Sequence, residues 1–404
     1  MSAIQTIPSP LDSPEKTLSG RTVFMLATGA GLSVASIYYS QPLLGVIGTD
    51  LHASVGTVGM VPTLTQIGYA LGILLLAPLG DRHDRRIVIL LKGLLLTAAL
   101  LCSGFISGIN GLLVTSFVVG IAATMAQDIV PASATLASAA QRGKTVGTVM
   151  TGLLLGILLS RVLSGFVAEY FSWRVLYIGA ALSVIFITLV IWRGLPRVPA
   201  ASTLSYPALL TSMIHLWLQF KTLRRAALSQ GLLSVGFSAF WSTLAVMLQD
   251  TYHLGSAVAG AFGLAGAAGA LAAPLAGALA DRRGPHRVTL MGAGVATLSF
   301  AALFLLPLLP LQYQIGLMVI SAIGFDFGVQ ATLVAHQTII YSLEPAARSR
   351  LNALLFTGVF VGMAVGSALG SLMLEKMGWT GVVSLITLAG AASLVVRWSN
   401  YSTR

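Results

Sequence analysis

The sequence predicts an all-α membrane protein in which twelve transmembrane helices form two pseudo-symmetric bundles of six. Of its residues, 56% are hydrophobic and only 9% are charged, whereas a soluble protein carries about 25% charged residues. The apolar residues form runs of about 20, the length that spans a hydrocarbon core about 30 Å thick. Because lipid offers no hydrogen-bond partner to the backbone, runs of this length are expected to be helices.

The apolar runs divide the chain into two halves. The first half is expected at 21–193 and the second at 223–397, with a cytoplasmic linker at 194–222. A disordered, proline-containing tail is expected at 1–20 and a second cytoplasmic tail at 398–404. The predicted spans lie at approximately 22–48, 55–79, 87–108, 111–137, 146–169, 174–193, 226–249, 257–280, 288–308, 313–341, 350–374 and 380–397.

The two halves are related in sequence. A shift of 206 positions superposes the fifth span on the eleventh, and a shift of 200 superposes the loop after the second span on the loop after the eighth. Small residues recur at every fourth position in both copies of the fifth span, which lets a neighbouring helix approach closely in lipid. The superposed pairs include Arg142 with Arg348, Thr151 with Thr357, Glu169 with Glu375, Trp173 with Trp379, and Asp81 and Arg82 with Asp281 and Arg282. Each half is therefore expected to be one six-helix unit.

The basic residues behind the net charge of +11 are distributed unequally between the two sides of the membrane. With the N-terminus inside, the inward loops hold most of the arginine and lysine residues, and the outward loops carry only Arg174 and Lys376. This asymmetry predicts that both termini are cytoplasmic. It also explains the basic composition without a nucleic-acid partner. The single cysteine, Cys102, excludes an intrachain disulfide.

The linker contains an apolar pattern between Pro207 and Phe220. Its large apolar residues are spaced as on one face of a helix, which is typical of an amphipathic helix lying on the inner leaflet. The alternative is an ordinary linker with several apolar residues.

The inward loops after the second and the eighth spans carry the same charged signature. The first reads Ala77-Pro-Leu-Gly-Asp-Arg-His-Asp-Arg-Arg86 and the second reads Gly277-Ala-Leu-Ala-Asp-Arg-Arg-Gly284. These loops resemble the Gly-x-Leu-x-Asp-Arg-x-Gly-Arg-Arg signature of the major facilitator superfamily, and the resemblance covers the chain from about residue 20 to 397. The chain is most similar to bacterial arabinose-efflux-like and drug–proton antiporters, which implies a multi-pass protein of the bacterial inner membrane. The supporting segments are Tyr39-Ser-Gln-Pro-Leu43, Arg142-Gly-x-x-Val-Gly147, Asp326-x-Gly-Val-Gln330 and Arg348-Ser-Arg-Leu-Asn352.

The signature residues are candidates for a cytoplasmic gate. Asp81 is expected near the start of the eleventh span, where free amides and the helix dipole favour an anion. By symmetry, Asp281 is expected at the start of the fifth span. The alternative is that the loop arginines serve only as topology anchors. In the first copy Ala77 and Asp84 replace family glycines, and Asp84 could pair with a loop arginine. The candidate gate residues are Asp81, Arg82, Arg85, Arg86, Asp281, Arg282 and Gly284.

Ionisable residues within spans are costly and mark functional sites. Asp128 in the fourth span and Arg161 in the fifth differ in expected depth by roughly 7 Å at about 1.5 Å rise per residue. An Asp128–Arg161 ion pair within the first half is therefore predicted. Its role is either to neutralise two buried charges or to break and re-form with protonation or substrate.

Asp326 lies near the middle of the tenth span, and no basic residue of its own half shares its depth. Burial without a partner favours the neutral carboxyl, so Asp326 is a candidate proton carrier. The alternative is a protonated, hydrogen-bonded structural residue. Gln330 and Gln337 lie on the same helical face, and His336 is a further relay candidate. The exporters that the chain resembles often carry an arginine where Ser116 stands and a proline where Ile157 stands.

The first and seventh spans contribute aromatic and polar residues that are candidates for a substrate cavity. These are Tyr38, Tyr39 and Gln41 in the first span and Phe237 and Trp241 in the seventh, with Gln330, Gln337 and His336 added from the tenth. Aromatic rings beside a few polar groups suit a sugar-like or amphiphilic solute. They also suit ordinary helix packing.

These features predict a secondary active transporter, with proton-coupled efflux of a small molecule as the activity that the resemblance implies. The alternatives are a passive facilitator of the same fold and a membrane sensor that does not transport. The sequence holds no H-E-x-x-H or G-x-S-x-G motif, so an enzyme is not expected. The expected partners are the solute and the lipid bilayer. A monomer is expected to suffice, with no cofactor or metal beyond the proton gradient.

Overall fold

The computed structural model describes residues 18–138, 141–200 and 202–401. Side chains at 267–271, 273, 274, 281, 346 and 399–401 lie outside this description. Most of the tail predicted at 1–20, and residues 402–404 of the tail predicted at 398–404, also lie outside the described residues. Within the described part, nine helices are long and apolar enough to cross a membrane.

The first half consists of helices connected by short loops. Their bounds are α1 (Gly20–Ala35), α2 (Leu44–Asp50), α3 (Val55–Arg82), α4 (Arg85–Phe105), α5 (Ile109–Ala123), α6 (Met125–Leu136), α7 (Arg142–Tyr170) and α8 (Trp173–Gly194). A turn and a short 3-10 helix (Gln41–Leu43) join α1 to α2, so the first span is bent at mid-length.

The linker contains one helix, and the second half repeats the architecture of the first. The bounds are α9 (Tyr206–Gln219), α10 (Lys221–Tyr252), α11 (Ser256–Ala261), α12 (Ala267–Arg283), α13 (Pro285–Ala302), α14 (Leu311–Tyr341) and α15 (Arg348–Tyr401). A 3-10 helix (Phe262–Gly266) joins α11 to α12.

Each of the twelve predicted spans overlaps a helical segment. Three spans consist of two helices each, namely α1 with α2, α5 with α6, and α11 with α12. The eleventh and twelfth spans run together as α15 and are separated at Gly378, which has a φ of 66°. Glycine tolerates a positive φ because it has no Cβ atom, which allows the break between the two spans there. The predicted fold class is confirmed.

The small-residue stripes of the repeat allow close helix contacts within each half. A Cβ atom on Gly152 of α7 would lie 2.5 Å from the carbonyl oxygen of Ala27 in α1. A Cβ atom on Gly231 of α10 would lie 2.9 Å from the carbonyl oxygen of Gly358 in α15. Since real Cβ atoms do not approach this closely, glycine is required at both contacts.

Helix α9 occupies the segment where the linker pattern predicts a helix. Its buried residues Met213 and Leu216 pack with Leu223 of α10 and Leu351 of α15, while Ile214 is 61% exposed. One face of α9 therefore packs against the C-terminal half. Its location on the inner leaflet remains a prediction.

Candidate functional site

Arg161 of α7 is buried within the fifth span and is 2% exposed. Its Nε donates a hydrogen bond of 2.8 Å to Oε1 of Gln41. The guanidinium lies over the rings of Tyr38 and Trp241, at 4.7 and 4.5 Å from their centroids, and 5.7 Å from the ring of Phe237. The bend after α1 places both Tyr38 and Gln41 beside α7. These aromatic rings form an enclosure that stabilises the cation.

Asp326 of α14 faces the same point from the second half. It is 3% exposed, and its Oδ1 lies 3.4 Å from the indole Nε1 of Trp241, which can donate to it. A Cβ atom on Gly266 would lie 2.9 Å from Oδ2 of Asp326 and 3.9 Å from Nη1 of Arg161. The two charges, one from each half, thus both lie close to Gly266, and Trp241 contacts both of them.

The predicted ion pair between Asp128 and Arg161 is wrong. Asp128 instead pairs with Lys92 of α4, with 2.6 Å between Oδ2 and Nζ. The helix α6 packs beside the inner ends of α3 and α4, so a Cβ atom on Gly80 would lie 2.5 Å from Oδ1 of Asp128. The depths of two residues along their helices did not reveal which way each side chain faces.

Lys92 is a buried charge that the sequence analysis missed. It is 5% exposed and lies about two turns into α4, within an otherwise apolar run. The rule that identified Asp128 and Arg161, a charged residue inside a predicted span, would have identified Lys92 as well. Lys92 neutralises Asp128, which leaves Arg161 to face Asp326.

The first signature loop is held by contacts within the first half and with the linker. Asp81 forms an ion pair with Arg85, and Nε of Arg85 donates a 2.9 Å hydrogen bond to the carbonyl oxygen of Gly80. Oδ1 of Asp84 accepts hydrogen bonds of 3.0 Å from the backbone amides of Arg86 and Val198. Asp84 therefore caps α4 rather than pairing with an arginine.

The predicted contact of Asp81 with the start of the eleventh span is not formed in this conformation. Arg85, four residues further along and buried, lies within reach of Asp81 and binds it first. In the second copy Arg282 is exposed, Gly284 has a φ of 83°, and the side chain of Asp281 lies outside the described residues. A gate role for Arg82, Arg86 and the second copy remains a prediction.

The remaining cavity candidates do not converge on Arg161. Nδ1 of His336 lies 3.0 Å from Oε1 of Gln230, and Gln337 donates to Asn352 over 3.0 Å. Gln330 is half-buried, and Tyr39 is buried in the apolar core of the first half. His336 and Gln337 of α14 therefore contact different neighbours, away from Arg161.

At the ends that are expected to face outward, the halves contact each other through two equivalent carboxylates. Oε2 of Glu375 accepts a 2.6 Å hydrogen bond from the amide of Gly56, at the start of α3. Oε2 of Glu169 accepts bonds of 3.1 Å from Oγ of Ser256 and 3.3 Å from the amide of Ala257, at the start of α11. The sequence repeat paired these glutamates, but it did not show that each one binds the other half.

Two further polar contacts involve residues outside these two carboxylate contacts. Nε2 of Gln66 in α3 donates a buried 3.1 Å hydrogen bond to Oγ of Ser238 in α10, which joins the halves at mid-length. At the outer end of the first half, the hydrogen bond from Arg174 lowers the pKa of the Asp50 carboxyl. Among the described residues, no group of three or more His, Cys, Asp or Glu side chains is placed to hold a metal ion.

Comparison with known proteins identifies the fold and the family. The model of the Major Facilitator Superfamily matches residues 26–340. The uncharacterized transporter YgaY of Escherichia coli K12 is 36% identical over 392 residues, which cover 97% of this chain and 98% of YgaY. A bacterial homologue of the human lysosomal transporter Spinster, in an inward-facing conformation, has a TM-score of 0.73 at 16% identity and covers 93% of both chains.

The exporter branch is represented only at a distance. The multidrug resistance protein MdtG of Proteus mirabilis is 25% identical over 339 residues, or 80% of each chain. The matching family and relatives are transporters, which confirms the prediction that the chain is not an enzyme. Its small-molecule substrate and its multi-pass membrane location follow from the same matches. The chain belongs to the Major Facilitator Superfamily.

Proposed function

We propose that this transporter couples solute movement to protons through the facing charges of Arg161 and Asp326. It works by alternating access, as a monomer in the bacterial inner membrane. The observation that carries the proposal is the placement of these two charges, one from each half, at 2% and 3% exposure. Buried charges in a membrane protein are expensive, and they are retained where they serve transport.

The coupling follows from the position of the charges between the halves. Arg161 lies on α7 and Asp326 on α14, so any relative movement of the halves changes the distance between them. The proton affinity of a buried carboxyl depends strongly on nearby charge. Alternation between inward and outward states would therefore change whether Asp326 holds a proton. A solute that enters between the halves would alter the same balance.

Export is the direction that the sequence resemblance implies, and the similarity to the multidrug resistance protein MdtG supports it. Export in exchange for protons requires a solute that binds better when Asp326 is ionised. A sugar-like or amphiphilic solute that donates hydrogen bonds to the carboxylate meets this requirement. A passive facilitator is the competing function, and it would not need the protonation of Asp326.

Everted membrane vesicles with an imposed pH gradient test the proposal. Vesicles are incubated with a mixed pool of sugars, metabolites and lipophilic drugs, and mass spectrometry reports each solute inside the vesicles. The native protein is compared with Asp326→Asn and with Asp250→Asn, which removes an exposed carboxylate of the same half. We expect a gradient-dependent change in solute distribution for the native protein and Asp250→Asn only. Equal distribution by all three proteins, independent of the gradient, would establish a facilitator.

A further inference from the structure

Two buried nitrogen groups beside the facing charges have no hydrogen-bond partner. They are Nη2 of Arg161 and Nε2 of Gln41. Arginine has only donors, so Gln41 must present its oxygen to Nε of Arg161 and direct its amide nitrogen elsewhere. Both side chains are at least 98% buried, with exposures of 2% and 1%. Buried donors are almost always satisfied, and two unsatisfied donors on neighbouring side chains therefore indicate an acceptor that binds there.

The surroundings of these donors are apolar and closed to water. Besides Gln41 and Arg161, the pocket is lined by Pro42, Trp241, Leu244, Ala245 and Ala259. It admits no water molecule in this conformation, so solvent does not satisfy either donor. The lining comes from the bend after α1 and from α7, α10 and α11. Separation of these elements, which belong to both halves, would open the pocket to a solute.

The charge of the site selects among possible solutes. The aromatic enclosure of Tyr38, Phe237 and Trp241 already holds the guanidinium of Arg161. A cationic solute would meet that guanidinium and be repelled. A carboxylate can accept hydrogen bonds from Nη2 of Arg161 and Nε2 of Gln41 together, and charge-assisted bonds of this kind are the strongest available. The apolar lining suits the remainder of an amphiphilic molecule.

We infer that this pocket is the binding site of an amphiphilic organic acid, held by its carboxylate on Arg161 and Gln41. The inference names the substrate class of the proposed transporter. It rests on that function only for the coupling to protons. A neutral solute would accept these hydrogen bonds without neutralising Arg161, and it binds more weakly.

The same geometry determines the sense of coupling. Asp326 faces Arg161 of α7 and Tyr38 of the first span, while Trp241 of α10 directs its N–H group toward it. An ionised Asp326 and a bound carboxylate would place two negative charges around one buried guanidinium, which is unfavourable. A proton on Asp326 removes the excess charge. The acid and the proton therefore bind together and cross in the same direction. For this substrate class, co-transport with protons replaces the exchange with protons that the sequence resemblance implies, while the coupling through Arg161 and Asp326 is kept.

Thermal unfolding of the purified protein tests the substrate class without requiring transport. The probes are matched sets that share one apolar body and differ in the head group, for example 4-phenylbutyrate, 4-phenylbutyramide and 4-phenylbutylamine, and octanoate, octanamide and octylamine. We expect the acids to raise the unfolding temperature more than the amides and amines, and more at pH 6 than at pH 8. Equal or greater stabilisation by the amides or amines, or no stabilisation by any acid, overturns the inference.

Variants assign the effect to the pocket. Gln41→Leu removes one donor and should weaken acid binding at least about tenfold, and Arg161→Gln should abolish it. Asp326→Asn resembles the protonated carboxyl, so its acid binding should be the same at both pH values. Asp250→Asn should bind acids as the native protein does. Acid binding that is unchanged in Gln41→Leu and in a folded Arg161→Gln places the acid elsewhere and overturns the inference.

The two proposals fail separately. If acids bind through Arg161 but no gradient drives transport in vesicles, the binding site stands and proton coupling fails. If vesicles show proton-coupled movement of amines while acids do not bind, the coupling stands and the substrate class fails.

Discussion

The third and fourth spans of the first half meet through a buried ion pair, whereas the equivalent helices of the second half meet backbone to backbone. Lys92 and Asp128 form the ion pair. Two hundred residues further along the chain, their equivalents are Gly292 and Gly328. A Cβ atom on Gly292 would lie 2.7 Å from the carbonyl oxygen of Gly328. One position of the repeat therefore serves either charge pairing or close packing.

The difference shows that the two halves place their buried charges in different positions. In the first half, Asp128 lies beside Gly80 and close to the Asp81–Arg85 pair, so the buried charges adjoin the signature loop. In the second half the glycine contact leaves no room for such a network. Asp326, only two residues before Gly328, faces the other half instead. We expect the stability of the contact between the third and fourth spans to depend on charge in the first half. In the second half, we expect the stability of the equivalent contact to depend on close packing.

The largest effect is expected from breaking the ion pair of the first half. Lys92→Gln or Asp128→Asn alone leaves one uncompensated buried charge, which costs about 3–5 kcal/mol of unfolding free energy. The double variant removes both charges and should recover most of this loss. Thermal or denaturant unfolding of the purified protein measures the three variants. A double variant as unstable as the sum of the single variants would show that the two charges do not interact.

The glycine contact of the second half gives the next effect. Gly292→Ala introduces a methyl group against the backbone of α14 and should cost about 1–3 kcal/mol through overpacking. Gly294→Ala in the same helix is the matched control, because a Cβ atom there meets nothing within 4 Å. Unfolding measurements should show destabilisation for Gly292→Ala only. Equal stability of the two variants would contradict the close packing of α13 on α14.

A smaller effect is expected at the signature loop, where the first copy has Asp84 and the second has Gly284. Asp84→Ala removes the cap of α4 and the bond to the amide of Val198, at a cost of about 1 kcal/mol. Arg82→Ala, at an exposed position of the same loop, should leave stability unchanged. Unfolding midpoints compare the two, and a loss for Arg82→Ala as large as that for Asp84→Ala would assign the effect to the loop as a whole.

The smallest change in free energy is expected at the outer ends, where the two halves make equivalent carboxylate contacts. Glu169→Gln and Glu375→Gln each weaken a carboxylate contact with a helix start, which is worth about 0.3–1 kcal/mol. Each variant should shift the conformational equilibrium toward states that are open on the outer side. Spin labels at the outer ends of α7 and α11, in a Cys102→Ser background, would report longer distances.

The repeat makes these two outer variants a matched pair. Because both contacts are equivalent, the two shifts should be similar in size, and the double variant should give their sum. A shift in only one variant would show that the two outer contacts are not equivalent.

More of the fold than of the candidate site could be predicted from the sequence. The spans were predictable because a run of apolar residues and its length are local properties of the chain. The positions of Arg161 and Asp326 within spans were predictable for the same reason. Their facing arrangement was not, because the side of a helix that meets another helix depends on tertiary packing. Asp128 shows the limit most plainly, since its expected depth suited Arg161 and its actual neighbour is Lys92.

The helical membrane fold and the internal repeat could be predicted from the sequence alone, because the length of apolar runs, the spacing of small residues and repeated motifs are local properties of the chain. Which charged side chains contact each other depends on the packing of the helices. Electrostatic energy depends on distances of a few ångströms between helices, and those distances are set by how the helices pack. The contact of Lys92 with Asp128 could therefore be seen only in the folded chain. The same holds for the position of Arg161 opposite Asp326 and for the two unsatisfied donors on Arg161 and Gln41.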